Sequence, residues 1–340
     1  MSNKALARRT KISIQIEGAD VSGTVENYFL GMTYTDHEED KTDDLQINLE
    51  DRDGVWISEL GNEVTAAIIQ ENWETDGGDK VLDCGIFEVD SLDYSGPPGQ
   101  VTIKATSLPH RASIRSDKKS RGWEKIKLSA IAGEIAAKNG MNCMFESAIH
   151  PFYKRREQVQ ISDIVFLQGL CKDAGISLKA SAKCIILFDE ADYEKKESVR
   201  KIKHGESEIT SFRFGASAAD TKYSKCHVSY TNPQTNETIE YTYTPRDSSG
   251  DRQTLEINER VSDREEARRL AMKRLRQKNK SEFSAEFSLV GDTSLVAGVN
   301  VETEGFGMFD GKYIIETATH NVTGSGYTTQ IKLRRVLEEY

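Results

Sequence analysis

Apolar and polar residues alternate in short runs along most of this chain, and that period-two rhythm limits what it can fold into. Ile12, Ile14 and Ile16 alternate with polar neighbours in TKISIQIEG, and Leu45, Ile47 and Leu49 do so in DDLQINLED. This is the pattern of strands with one face on a core and the other in water. Tyr28–Thr35, Glu63–Trp73, Val81–Leu92 and Gln100–Ser107 continue it. Between them lie DGGD at Asp76–Asp79 and SGPPG at Ser95–Gly99, where Gly and Pro supply the angles a reversal needs. Residues 1–108 are therefore expected to be an all-β unit, a barrel or a sandwich.

The rhythm changes after Leu108. SDKKSRGWEK reads as a solvated basic connector, after which Leu128, Ile131 and Ile135 fall at helical spacing up to the stop signal Asn139-Gly140. Ser162 as N-cap, Ile161 and Phe166 at staple positions, and the stripe Ile164, Leu167, Leu170, Ala174 predict a second helix ending at Gly175. ISLKAS and CIILFD predict a strand pair, so residues 109–200 read as a small α+β insert. From about Thr210, SFRFG, KCHVSYT and TIEYTYT restore the strand rhythm, with a hairpin turn expected at Asn232–Thr235. One helix, about 262–280, is expected to open on the capping box Ser262/Glu265 and to end in Lys273, Arg274, Arg276, Lys278 and Lys280, in line with its dipole. Residues 201–340 are thus a second β unit, and the fold class is α+β, mainly β.

The two β units share an order of landmarks. The first has Gly61-x-x-Val64, Gly85-x-Phe87-x-Val89, then Gly99 before Val101 and Ile103. The second has Gly298-x-x-Val301, Gly311-x-Tyr313-x-Ile315, then Gly326 before Thr328 and Ile331. The match is loose, since a glycine ahead of an alternating strand is common.

With 340 residues, 37% hydrophobic and 29% charged, the chain suits two or three domains. Its longest apolar run, Cys184–Phe188, falls far short of the roughly 20 residues of a membrane span. The N-terminal MSNKALARRTKIS lacks the apolar stretch of a secretory signal. Five cysteines without a C-x-x-C pair (Cys84, Cys143, Cys171, Cys184, Cys226) read as reduced, mostly buried thiols. Fifty-five acidic against 45 basic residues give a net charge of −10, which repels phosphate and argues against a DNA-coating role. An acidic lining along which DNA slides without sticking is compatible with that balance.

No motif assigns a reaction. The third glycine of Gly305-x-Gly307-x-x-x-Gly311 comes one residue late for a nucleotide loop, and no helix follows. Asp51-Arg-Asp53-Gly54 puts leucines, Leu49 and Leu60, at the first and last ligand positions of a calcium loop. Gly215-Ala-Ser217-Ala-Ala219 lacks the closing glycine of a nucleophile elbow. His37, His110, His150, His204, His227 and His320 show no metal-ligand spacing, so neither metal nor cofactor is expected. The run His37–Asp44 reads as a solvated loop. The cluster Lys118, Lys119, Arg121 with Trp123, and the basic helix end Lys273–Lys280, read as charged faces that could meet an acidic partner.

Taken in order, the second half of the chain is similar to the phage late-control D family, baseplate hub proteins of contractile tails. The sequence of features carries the resemblance: the basic helix, a strand, AG-x-x-V at Ala297–Val301 with Gly298, then GFG-x-FDG-x-Y with Gly305, Phe306, Gly307, Gly311 and Tyr313, then His320, and GYTT with Gly326 and Tyr327. In the middle, KSRGWEKIKLSAIAGEIAAKNGM with Trp123, SDIVFLQGLCKDAG and the end of CIILFD resemble the same family, notably hubs of defective prophages and R-type bacteriocins. The resemblance implies two tail-tube-like β-barrels, at 1–108 and 201–340, around the α+β insert. It further implies a homotrimer whose six barrels form a ring adapting a six-fold tail tube to a three-fold central spike. Implied partners are the tube protein, the spike, the tape-measure protein and the baseplate wedge, with DNA at most passing through the lumen. The glycines of the motif suit turns, and Tyr313, His320 and Tyr327 suit packing or subunit contacts; none is assigned chemistry.

Related hubs are fused to spike or wall-degrading domains, whereas RRVLEEY follows directly on the last strand, so spike and lytic activity are expected on other chains. The product is expected to be made in the bacterial cytoplasm and to end in the baseplate of a virion tail or tail-like particle. The main rival is a baseplate-associated cell-wall hydrolase. A regulator of late genes, suggested by the family's historical label and the basic helix, is the other.

Overall fold

A computed structural model of the chain describes residues 7–39, 41–54, 56, 62–73, 78–108, 112–181, 183–217, 222–233, 236–245, 253–261 and 263–337. The first unit comprises β1 (Arg9–Ile16), β2 (Ala19–Asp20), α1 (Ser22–Glu26), β3 (Phe29–His37), β4 (Asp44–Glu50), β5 (Glu63–Glu71), β6 (Asp79–Ser95) and β7 (Gln100–Thr106). The insert holds α2 (Ser113–Ser116), β8 (Lys118–Lys127), α3 (Leu128–Lys138), β9 (Asn142–Glu146), β10 (Phe152–Ser162), α4 (Asp163–Ala174), β11 (Ser177–Ala180), β12 (Cys184–Phe188) and α5 (Glu190–Glu194). There follow β13 (Ser198–Lys203), β14 (Ile209–Ala216), β15 (Tyr223–Thr231), β16 (Thr238–Tyr243), β17 (Gln253–Ile257), α6 (Arg264–Asn279), β18 (Phe283–Val290), β19 (Asn300–Glu304), β20 (Gly311–Thr323) and β21 (Gly326–Arg335).

Alternation works as the sequence predicts. Leu45, Ile47 and Leu49 of β4 and Val101, Ile103 and Ala105 of β7 point into one core with Phe87 and Ile68. Ala285, Phe287 and Leu289 of β18 and Ile331 and Leu333 of β21 point into another with Tyr313 and Ile315. Each large side chain so buried contributes about 1.5–3 kcal/mol. The two β units are nevertheless not separate sheets. β20 pairs antiparallel with β3, from Thr317↔His37 to Thr323↔Gly31. This fuses the units into one 13-stranded sheet of order β14-β18-β21-β20-β3-β4-β7-β6-β5-β1-β2, with β19 and β13 added beside β20.

Within that sheet the same arrangement occurs twice. β3-β4-β7-β6-β5 in the first unit corresponds to β14-β18-β21-β20-β19 in the second, strand for strand. Val64 faces Phe87 as Val301 faces Tyr313. Leu92 faces Ile103 as Ala318 faces Ile331. Even the irregularities repeat: a one-residue bulge follows Val89 and Ile315, and another follows Phe29 and Ile209. Bulges re-aim a strand at a fixed place, so their coincidence marks a common template. The sixth strand departs from it, since β1 runs antiparallel to β5 whereas β13 runs parallel to β19. Gly61, the first landmark of the sequence repeat, lies outside the described residues.

The insert builds its own core from Leu128, Ile131 and Ile135 of α3, Leu167 and Leu170 of α4, and Ile185 and Leu187 of β12. α3 stops at Asn139-Gly140 and α4 at Gly175, as their signals predict. Ser162 sits at the α4 N-cap, though its side chain makes no cap hydrogen bond. ISLKAS and CIILFD pair as β11 and β12. The supposed connector SDKKSRGWEK is instead largely strand β8, paired with β10. KCHVSYT and TIEYTYT leave the second unit's sheet and form, with β17, a three-stranded sheet of their own, packed on Ala267, Ala271 and Leu275 of α6. The cap of α6 is Asp263, whose carboxylate accepts the Glu266 N–H, while Ser262 and part of the Asn232–Thr235 and Asp76–Asp79 turns lie outside the described residues.

Candidate functional site

The GFG-x-FDG-x-Y segment is the connection from β19 to β20. Gly305 and Gly307 have φ of +87° and +68°, which side-chain-bearing residues rarely adopt. They let the loop turn back so that the Phe306 N–H donates to Asp310 Oδ1 at 2.7 Å. The Tyr313 hydroxyl donates to the Phe309 carbonyl at 2.9 Å, and Arg335 donates to the Asp310 carbonyl beside Gly311. Thus anchored, Phe306 lies 5.2 Å from Phe212 and Phe309 stacks on Phe214 at 4.8 Å, ring centre to centre. The motif is an aromatic cap on the second core. Its one carboxylate closes the loop and Met308 faces solvent.

His320 and Tyr327 stand at the seam between the β units. The fully buried His320 ring stacks on Tyr34 of β3 at 5.9 Å, and its Nδ1 lies 2.7 Å from the Tyr327 hydroxyl. Burial pulls the imidazole down to about 4, so it is neutral at pH 7. Beside it Gln70 of β5 donates to the Gly291 carbonyl at 2.8 Å and accepts from Thr293. Gly326 closes the β20–β21 turn opposite Thr323. Gly298 donates to the Ile315 carbonyl and lies against Tyr193 of α5. Trp123 is remote from all of these, in the insert core, where it stacks on Phe166 at 5.0 Å and donates to Glu134. The motif residues therefore divide among a cap, a seam and a separate core.

The largest polar constellation has no signature in the sequence. Arg334 of β21, 2% exposed, pairs with Glu194 of α5, with Glu190 at 3.0 Å and with Glu38 at 3.6 Å. Arg276 of α6 joins Glu194, and Lys280 bridges Glu39 at 2.9 Å and Glu190 at 3.1 Å. Nearby, Lys179 of β11 holds Asp36 at 2.6 Å and Asp43 at 3.2 Å, and Asp36 also accepts the Ala297 N–H. One knot of charge thus ties the first unit, the insert, α6 and the last strand together. Burial pushes the Glu38 carboxyl up to about 8 against the pull of Arg334. Burial likewise raises Asp43 to about 6 despite Lys179.

These contacts correct three expectations. The run His37–Asp44 is no solvated loop, because Glu38 and Asp43 are buried in the knot; Asp40 lies outside the described residues. The basic end of α6 is not a free face: Arg276 and Lys280 are engaged as above, Arg274 pairs with Glu259, and Lys273 is buried, which lowers its ammonium to about 8. Lys119 and Arg121 are likewise taken, both bonded at 2.7 Å to the buried carboxylate of Asp163. The five cysteines are free thiols, with Cys84, Cys171 and Cys226 buried and Cys143 and Cys184 half-buried. Among the described residues no helix is long and apolar enough to cross a membrane, and His110 lies outside them.

The doubled strand template in one continuous sheet, with the motif residues committed to packing and inter-element ties, is the feature that defines this chain's fold. The chain belongs to the phage tail baseplate hub (GPD) family, whose model matches residues 46–326. It is 28% identical over 194 residues to the probable baseplate hub protein of Escherichia phage P2, an alignment covering 56% of this chain and 47% of that one. The chain thus spans about half the length of that relative. Its fold is shared with the 43 kDa tail protein of prophage MuSo2 from Shewanella oneidensis, at TM-score 0.73 and 15% identity over 98% of this chain and 100% of the other. The E. coli c3393 protein, a type VI secretion component described as structurally similar to phage T4 tail proteins, matches at TM-score 0.56 and 10% identity, covering 99% and 77%.

Proposed function

We propose that this chain is a non-enzymatic hub of the baseplate of a contractile phage tail or tail-like particle. Three copies form a ring of six similar β units that meets the six-fold tail tube on one side and the three-fold central spike on the other. The observation that carries this reading is the doubled five-strand template within one continuous sheet. A chain with two equivalent units presents six near-identical surfaces at three-fold symmetry, which is what a six-to-three adaptor requires. The relatives named as baseplate hubs support the same location. Tube protein and spike are the principal partners, with the tape-measure protein and baseplate wedge at the periphery, and DNA at most transits the lumen. Synthesis is in the bacterial cytoplasm, followed by incorporation into the baseplate.

The test is the native mass of the 38.1 kDa chain by light scattering, alone and mixed with a candidate spike protein from the same genome. A trimer in either condition is expected, and a monomer in both would count against the ring. A zymogram on bacterial cell wall is expected to show no clearing.

A further inference from the structure

Between the first β unit and the insert lies a cleft of about 550 Å³, a size usual for a ligand site, and the charges in it do not cancel. Lys41 and Arg115 line it, with Asp44 as its one carboxylate among the described residues. Neither cation has an ion-pair partner among those residues. Arg115 gives one Nη1–H to the Leu108 carbonyl at 2.7 Å and keeps its other donors. Burial and the nearby Lys41 hold the His37 imidazole, also in the lining, below its ordinary range. It is therefore neutral at pH 7, and the described lining carries one net positive charge. The N-terminus of α4 opens into the same space through Ser162, Ile164 and Val165, and the first N–H groups of a helix have no partner within it. Ser162, at the N-cap, is 7% exposed, yet its hydroxyl caps none of them and has no hydrogen bond among the described residues. Asp163, the acid of the first turn, is already held by Lys119 and Arg121.

Strand β11 adds backbone groups to this lining. It is the edge of its three-stranded sheet and pairs with β12 alone among the described residues. Across that pair the Ser181 N–H donates to the Cys184 carbonyl. Bonded and non-bonded pairs alternate along an antiparallel ladder, so Ser177 and Lys179 bond to β12, while Leu178 and Ala180 turn their N–H and C=O groups out from the open edge. Leu178 and Ala180 are the β11 residues that line the cleft. We propose that this cleft binds an extended acidic peptide segment of a partner protein. The peptide backbone pairs with β11 at Leu178 and Ala180, and one side-chain carboxylate is received by the Ser162 hydroxyl, the α4 N-terminus, Arg115 and Lys41. One net positive charge suits a single carboxylate, whereas a phosphate dianion would also meet Asp44. The outward backbone groups ask for a second strand, which a small free acid does not supply. Val165, 50% exposed in the first turn of α4, offers an apolar contact to a residue beside the acid. The inference does not rest on the hub reading.

The test is the fluorescence anisotropy of the pentapeptide TVEVT, amidated and carrying a neutral fluorophore at its N-terminus, titrated with the full chain. Its β-branched flanks favour an extended backbone. Saturable binding is expected, and roughly tenfold weaker binding of TVQVT, because hydrogen bonds to a charged group are about twice as strong as neutral ones. Methylating alternate backbone nitrogens of the peptide, in each of the two phases, is expected to abolish binding in at least one phase, since one set of N–H groups faces β11. Lys41→Gln and Ser162→Ala are each expected to weaken binding several-fold with the thermal midpoint of the free chain unchanged, because neither side chain has a partner there. Glutarate, a free acid with the same carboxylate, is expected to displace the peptide far less well than unlabelled TVEVT does. Absence of saturable binding, equal affinity for TVEVT and TVQVT, or affinity untouched by both variants would overturn the site. Displacement by glutarate as effective as by TVEVT, or full affinity of both methylated peptides, would overturn the strand pairing and with it the peptide as occupant. All of these outcomes leave the native mass, and so the ring, to be judged separately.

Discussion

Arg334 and Glu194 pair where each side chain is only 2% exposed, linking the last strand of the sheet to the short helix that ends the insert. A buried ion pair adds little net stability compared with a well-packed apolar pair, but removing one partner leaves the other charge stranded. Here Glu190 would be stranded along with Glu194. Arg334→Met is therefore expected to lower stability by about 3–5 kcal/mol, read as the midpoint of urea unfolding. Arg335→Met, whose guanidinium serves the surface motif loop, is expected to cost far less. Equal losses would show that the knot is not what holds the insert against the sheet.

Glu38 gives this knot a pH dependence of defined sign. Its carboxyl is raised from 4.5 to about 8 by burial, so between those values the folded protein holds a proton that the unfolded chain releases. The contribution of Glu38 to stability then falls as pH rises from about 4.5 to 8. Glu190, lowered to about 2 mainly by the charges of Arg334, Lys280 and Arg276 outweighing its burial, acts in a different window, below 4.5. In Glu38→Gln this contribution is expected to vanish, leaving that of Asp43, which is raised to about 6. The difference in thermal midpoint between variant and wild type should grow steadily across that interval, and a difference independent of pH would contradict the assignment.

Gly291 lies under the Tyr327 ring, and a Cβ placed on it would fall well inside the ring's van der Waals surface. Tyr327 has little freedom to yield, being buried and bonded to His320. Overpacking of this kind costs about 1–3 kcal/mol, so Gly291→Ala is expected to destabilise by that amount in urea unfolding. Gly324→Ala, at a turn where an added Cβ meets nothing within 4 Å, serves as the control and is expected to be near neutral.

The parts of the fold legible in the sequence are those where one residue class carries the signal. Leu45, Ile47 and Leu49 announce β4 because each inward position is aliphatic, and the Ile131/Leu167 stripes announce the helices of the insert. β8 is hidden because its inward-facing Lys119 and Arg121 are cations, made tolerable by Asp163, 42 residues beyond Arg121. The knot around Arg334 is illegible for the same reason on a larger scale, Glu194 and Glu190 lying 140 and 144 residues from it along the chain. The duplication shows in glycine landmarks alone, most clearly where a glycine and an aromatic recur, at Gly85-x-Phe87 and Gly311-x-Tyr313. The correspondence of β3 with β14 rests on pairing and bulges, and Met32 and Phe212 share little that a pattern could find.

His320 sits at the seam between the two β units, where β20 meets β3, and its titration reports whether that seam is dry. Burial takes the imidazole from 6.5 to about 4, and its Nδ1 lies within hydrogen-bond distance of the Tyr327 hydroxyl, 2.7 Å away. The unfolded chain therefore binds a proton between pH 6.5 and 4 that the folded chain refuses. The contribution to stability is complete above pH 6.5 and declines as pH falls through that interval. A shift of about 2.5 units is worth roughly 3 kcal/mol, so wild type should lose about that much between pH 7 and pH 4 relative to His320→Gln, which cannot titrate. The ring resonances of His320 are expected to stay at their neutral positions in NMR spectra down to pH 5. Movement of His320 with a midpoint near 6.5 would mean that water reaches the seam.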